Sequence, residues 1–433
     1  MRGALLLPAV AAIAVLSACG GGDGDGDRAQ PVQPISSSIC SPMTTGGEGA
    51  PRHLVVLVGP LQNAVADHGI QNAQAAKLVL AQRGWRAGDA PIGLQVCDEA
   101  SADEYSDGPK CERIAKAVSA NRGVVAVLGP TVSTCASLML PVLNRSVGSP
   151  VALLGLGNTY LGLTRDGPGV EDGDPERYRP SGDRSYLRTM PADDVQGAAS
   201  VLAAQQAGAQ RVFAVHDGSR YGRGVATAFT AAAVRAGLED AGTAPWDPDA
   251  SGYRGLAARI AGTGADAVFL GGGAQSNGPR LIRDLRGGLG KDVLLLGPDG
   301  FNQPAPILEG AGERAEGLTV SLSAASNSAL PPRGRAWAAE FARRYGSRPC
   351  CYAVHAGQAT ELVLDAIESS DGTRAGVLRA LQGTRTADGL LGSVRFDEFG
   401  DSNLRGVSLY RIEGGRMRYL RTVEVPDDLL DRE

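Results

Sequence analysis

The sequence predicts an α/β protein of two doubly wound lobes, and three observations carry that expectation. Short continuous apolar runs alternate with segments of helical periodicity, the pattern of buried parallel strands joined by helices. The alternation is interrupted by a polar stretch, Arg165–Arg184, and then restarts, giving more strand–helix units than one small sheet holds. Glycine is abundant at 60 residues and aromatics are sparse at 5%, a balance that suits many tight strand–helix turns.

The elements follow in order. Leu54–Gly59 is the first strand, and a helix runs from about Asn63 to Gln82, with Ala75, Leu78 and Val79 at helical spacing and Gly84 as its stop. Strands Ile92–Cys97, Val124–Leu128 and Val151–Leu154 come next, with helices Lys110–Ala120 and Val132–Asn144 between them. After the polar stretch the series is helix Asp193–Ala207, strand Val212–His216, helices Tyr221–Ala236 and Gly252–Ala261, strand Ala267–Gly271, helix Asn277–Arg286 and strand Val293–Gly297. A helix-rich block, Pro332–Leu381, precedes three strand-like runs, Gly392–Phe396, Gly406–Arg411 and Arg418–Val425. These late segments are expected to return and complete the lobes.

The chain opens with Arg2, an apolar run from Ala4 to Leu16, and Leu16-Ser17-Ala18-Cys19 ahead of a Gly/Asp stretch. This is the layout of a secretory signal, too short to span a bilayer permanently. Cys19 resembles the lipidated cysteine of a bacterial lipobox. Its acyl chains would hold the protein at a membrane surface at about 0.8 kcal/mol per buried methylene, and residues 20–27 would serve as a flexible tether. Localisation is therefore expected to be extracytoplasmic, anchored to the cell membrane.

A net charge of −5 argues against a nucleic-acid partner, which requires a basic face. Six cysteines remain beyond Cys19: Cys40, Cys97, Cys111, Cys135, Cys350 and Cys351. An even count in an exported chain suggests disulfides, and one bridge is expected among Cys97, Cys111 and Cys135. No Cys-x-x-Cys pair exists and the four histidines are scattered, so no metal site is expected.

Six segments, in this order, carry a family resemblance: Val127–Thr134, Asn158–Thr164, Leu187–Gly197, His216–Gly222, Leu296–Gly300 and Leu391–Asp397. With them the chain resembles type I periplasmic substrate-binding proteins, the branched-chain amino acid receptors of ABC importers, over roughly Leu54 to Val425. The resemblance implies two Rossmann-like lobes joined by three hinge crossings, here near Arg188–Met190, Ser321–Ser323 and Leu391–Val394. Residues 1–18 are then the signal, and 19–51 the tether and N-terminal segment. Residues 52–188 with 323–392 form the first lobe, 189–322 with 393–425 the second, and 426–433 a tail.

A free amino acid presents a carboxylate and an ammonium on one carbon. Helix N-termini at a sheet's carboxyl edge offer unpaired N–H groups and a positive dipole end to the carboxylate. Ser133 and Thr134 lie where the third strand turns into its helix and can add hydroxyl donors, or simply cap it. Gly157 would let backbone approach the ligand and Thr159 would donate a hydroxyl, unless both are plain turn residues. Asp299, just after the strand Val293–Gly297, occupies the position where the family holds an acid for the ligand ammonium; a turn aspartate is the alternative. Tyr221 opens the second lobe's first long helix, where its ring could cover a ligand. The chain departs from the family where Gly271-Gly272-Gly273-Ala274 replaces aromatics, and at His68, expected as a solvated residue at a helix start with the pocket wall as the alternative. The leucine/isoleucine/valine preference is accordingly not carried over.

No G-x-S-x-G, phosphate loop or dinucleotide fingerprint with its acid is present, so catalysis and cofactors are not expected. Asp98-Glu99 is an adjacent acidic pair whose members should point to opposite faces. The expectation is a monomeric extracytoplasmic lipoprotein that binds an amino acid and delivers it to ABC permease subunits. A sensing subunit of the same fold, or a receptor for amides, urea or small organic acids, is the alternative.

Overall fold

The computed structural model describes residues 32–36, 38–350 and 352–430. The expected signal peptide, the expected lipid-attachment residue Cys19, and Cys351 lie outside them. The first lobe opens with β1 (His53–Gly59), α1 (Ala66–Gln82), β2 (Arg86–Ala87), β3 (Ala90–Asp98), α2 (Gly108–Ala120), β4 (Val124–Leu128), α3 (Ser133–Asn144), β5 (Ala152–Gly155) and β6 (Tyr186–Arg188). Along β1, Val55 and Leu57 enter one core while Leu54, Val56 and Val58 enter the other. Both faces of the sheet are covered, which is why the strand is apolar throughout rather than alternating. The second lobe follows with α4 (Asp193–Gln206), β7 (Arg211–His216), α5 (Arg220–Arg235), β8 (Glu239–Pro245), α6 (Arg254–Ala261), β9 (Ala267–Gly271), α7 (Gly278–Leu289), β10 (Leu294–Gly297), α8 (Pro304–Ala311) and β11 (Thr319–Leu322).

The chain then returns, as the late helical block implied. Helices α9 (Pro332–Tyr345), α10 (Ala353–Glu368) and α11 (Arg374–Gln382) place Trp337, Phe341, Leu362 and Val377 in the first lobe's core. A hairpin, β12 (Arg385–Gly389) and β13 (Gly392–Arg395), precedes β14 (Gly406–Glu413) and β15 (Arg416–Glu424), which extend the second sheet antiparallel. The strand orders are β2-β3-β1-β4-β5-β6 and β15-β14-β11-β10-β9-β7-β8. Each order reverses once, between β1 and β4 and between β7 and β9, and a doubly wound sheet binds ligands outside the carboxyl ends of its strands at such a reversal.

Three passages join the lobes. The first follows β6 and the second follows β11. The third lies beyond Leu391–Val394, because Val394 is in the first lobe's core and Asp401 still pairs alongside Arg188, while Val407 is in the second lobe's core. Fully buried Arg188 holds this junction. Its guanidinium meets the Asp401 carboxylate at 2.7 Å, the Tyr160 carbonyl at 2.8 Å and the Thr164 hydroxyl at 2.7 Å.

Cysteine pairing is Cys111–Cys135, tying α2 to α3, and Cys40–Cys97, which fastens the N-terminal segment to β3. The bridge expected among three cysteines is thus between Cys111 and Cys135, and Cys97 finds its partner outside that trio.

Candidate functional site

Between the carboxyl edges of the two sheets lies a cavity of about 210 Å³. It is smaller than the roughly 300–1,000 Å³ of sites for drug-sized ligands. Its first-lobe wall is the start of α3 and the loop after β5. Strand β4 ends at a cis Gly129-Pro130 peptide and the chain turns into α3 with Val132 as the N-cap, which carries no side-chain cap. The amides of Thr131 and Val132 are taken by the oxygens of the buried Glu99 carboxyl group, at 2.7 and 3.4 Å. Ser133 and Thr134 therefore stand in the first turn rather than at the cap, and both line the cavity. The Ser133 oxygen accepts from the Tyr160 amide at 3.3 Å, which leaves its own proton available to a ligand. Gly157, at φ +144, also lines the cavity; a Cβ there would sit 2.8 Å from Thr131 and 3.1 Å from the Tyr352 ring.

The second-lobe wall is built on the ends of β7, β9 and β10. Asp299 follows β10 in a short 3₁₀ turn, with one oxygen accepting from the Tyr221 hydroxyl and the other from the Tyr352 hydroxyl at 2.7 Å. Burial raises the Asp299 carboxyl above the usual carboxylate range, and the two tyrosine hydrogen bonds oppose that rise. Burial likewise lifts the Tyr221 phenol well above its ordinary value, so it stays a donor. Tyr352 reaches from the start of α10, on the first lobe, so the Asp299 cluster spans the cleft. Tyr105 and Gln303 span it again at 2.8 Å.

Of the residues singled out in the sequence, Ser133, Thr134, Gly157, Tyr221 and Asp299 meet in this one cavity. Thr159 does not line it: the residue is buried behind the wall, its carbonyl accepting the Asp193 amide at 2.9 Å. His68 is corrected from a solvated position to the cavity wall. It lies edge-on to Tyr352 with ring centroids 6.0 Å apart, and burial pushes its imidazole down to about 4, against a small opposing pull from Asp67. Sequence reasoning missed Tyr352, Tyr105, Gln303, Asp217 and Ser276. Asp217 was the most legible of these, since it directly follows strand β7, a few residues before Tyr221. Asp98 and Glu99 do diverge, Asp98 toward Leu61 and Lys110 and Glu99 toward α3. Glu99 also approaches Cys111 and Cys135, whose sulfurs are already bonded to each other.

The periplasmic binding protein family model matches residues 55–416, most of the chain. The chain belongs to the periplasmic binding protein family. It is therefore a substrate-binding receptor by family, and an extracytoplasmic one. Among the described residues no helix is long and apolar enough to cross a membrane. A Leu/Ile/Val-binding protein of Rhizobium johnstonii is 25% identical over 367 residues, covering 83% of this chain and 92% of that protein. A leucine-binding protein of Thermotoga maritima superposes with a TM-score of 0.72 at 20% identity, covering 87% of this chain and 99% of that one. A solute-binding protein of Rhodopseudomonas palustris, solved with p-hydroxybenzoic acid, superposes with a TM-score of 0.69 at 20% identity, covering 87% and 98%.

Proposed function

We propose that this chain is the substrate-binding lipoprotein of an ABC importer, tethered at Cys19, and that it captures a free amino acid between its lobes and presents it, chemically unchanged, to a permease. The observation that carries the reading is the pairing of opposites across one small cavity: the first turn of α3, with Ser133 and Thr134, on one lobe and the Asp299 carboxylate on the other. The first would hold the ligand carboxylate through N–H groups, the helix dipole and the Ser133 and Thr134 hydroxyls. The second would hold the ammonium by a charge-assisted bond.

The benzoate-bound relative favours a second reading, a small organic acid. Against it, among the described residues no lysine or arginine lines the cavity. An anion without an ammonium would leave Asp299 unpaired beside it, and like charges in a shared site are unfavourable.

The test is thermal unfolding of the exported Cys19→Ser chain against amino acids, amides, urea, polyamines and small organic acids. Ligand at a hundred times Kd stabilises by about 2.7 kcal/mol, a shift of several degrees. Stabilisation by one or a few amino acids is expected, and a response confined to plain acids would overturn the zwitterion site. Cys19 is tested by labelling cells with a radioactive fatty acid, where Cys19→Ser should lose the label.

A further inference from the structure

We infer that the bound amino acid carries a side chain ending in N–H donors, an amide, amine or guanidinium, recognised on the second lobe by Asp217 and Gln275; this rests on the zwitterion reading above. Asp217 follows β7 and lines the cavity. One of its oxygens accepts from the Ser219 amide at 3.0 Å and the Ser219 hydroxyl at 2.6 Å, and the other from the Ser276 hydroxyl at 2.7 Å. A carboxylate has about four acceptor positions, so these three bonds orient Asp217 and leave it one acceptor to offer.

The glycine run after β9 makes room for this arrangement. A Cβ on Gly272 would lie 2.6 Å from the Asp217 carboxylate, and a Cβ on Gly273 would lie 2.3 Å from the Gln275 carboxamide oxygen. Polar groups thus fold over bare backbone where a larger residue at either glycine would displace them. The charges agree. With the ligand carboxylate at α3 and its ammonium at Asp299, Asp217 is the carboxylate left over, and among the described residues no cationic side chain of the lining offsets it. A methyl-ended side chain would cover Asp217 and Gln275 without replacing their contacts to water, which is unfavourable. An N–H-ended one would replace them.

The experiment is calorimetric titration of the full Cys19→Ser chain with glutamine, citrulline, lysine and arginine, against valine, leucine and norleucine. At least about tenfold tighter binding of a member of the first group is expected; the amide or the cationic arm identifies the end group. Asp217→Asn should weaken that ligand about ten- to a hundredfold while changing valine much less. Gln275→Met, which leaves the Asp217 turn intact, should also narrow the preference and decides the matter if Asp217→Asn unfolds. A preference for leucine over every N–H-ended amino acid, or equal losses for both groups in both variants, overturns this inference but leaves the zwitterion site standing. Absence of any amino acid binding overturns both.

Discussion

Glu99 and Asp193 are buried carboxyls whose ionised forms the fold disfavours. Burial pushes each up to about 8, against the backbone amides at the start of α3 for Glu99 and against Thr159 and Arg188 for Asp193. His68 and His355 are displaced the other way, held down at about 4 by burial. Between pH 4 and 6.5 the two pairs act oppositely on stability. Above about 6.5 the histidines are mostly neutral both folded and unfolded, while up to about 8 Glu99 and Asp193 are protonated when folded and ionised when unfolded. The folded state then binds more protons, so stability falls as pH rises through that window. Chemical denaturation at pH 6.5 and 8 should show the decline, and Glu99→Gln should flatten it; a variant with the wild-type slope would remove Glu99 from the account. Asp299 has a different assignment, to the ligand. Asp299→Asn should weaken an amino acid by about ten- to a hundredfold, the range of a lost hydrogen bond to a charged group. The unliganded melting temperature should change little, since the variant removes a buried charge. Unchanged affinity in calorimetry would refute the ammonium contact.

At the scale of elements, the junction of β6 with the segment after β13 rests on Arg188 and Asp401, both nearly inaccessible to water. Removing one member of such a pair leaves an uncompensated buried charge and typically costs about 3–5 kcal/mol. Asp401→Ala should therefore lower stability by about that amount in urea titration, whereas the exposed Arg211–Glu239 pair should yield less than about 1 kcal/mol when broken. Asp401 also pairs with Arg165 at 2.9 Å, so if the two variants behaved alike, Asp401 and its two arginines would not be the pin of this junction.

The elements themselves were unevenly legible. Strands β1, β4 and β9 are continuous apolar runs buried on both faces, and their sequence states as much. Strand β8 was not: Glu-Asp-Ala-Gly-Thr-Ala-Pro lies at an edge of the second sheet and is largely exposed, so it lacks the apolar signal. Strands β6 and β11 are short and gain their identity from neighbours already in place. The site divides in the same way. Ser133, Tyr221 and Asp299 follow strand ends, where local sequence marks a sheet's carboxyl edge. Tyr352 reaches Asp299 across 53 residues of sequence and from the opposite lobe, a contact that only the returning α10 creates.

At the scale of the whole molecule, the two lobes touch along the rim as well as in the cleft. The stretch 165–184, read in the sequence only as a polar interruption, stays anchored to the first lobe through Tyr178 in its core and reaches α5 of the second. There Glu171 meets Arg220 at 2.8 Å and Arg223 at 2.6 Å, and Arg220 donates to the Tyr178 hydroxyl at 2.8 Å. Gly169 allows the approach, since a Cβ there would lie 2.6 Å from the Gly224 carbonyl oxygen. Such contacts exist only while the lobes are together, so they bias the hinge toward the arrangement that encloses the ligand, and ligand affinity inherits that bias. The pairs are partly exposed, so screening limits them to about 1 kcal/mol. Glu171→Ala should therefore raise Kd by only about two- to fivefold, chiefly through faster release, with no contact to the ligand altered. The wild-type protein should lose that advantage as salt rises and the Debye length shortens. Stopped-flow dissociation at low and high salt separates the cases: a variant matching wild type at low salt would mean that the rim pairs form without favouring closure, and the tyrosines around Asp299 would have to hold the lobes together alone.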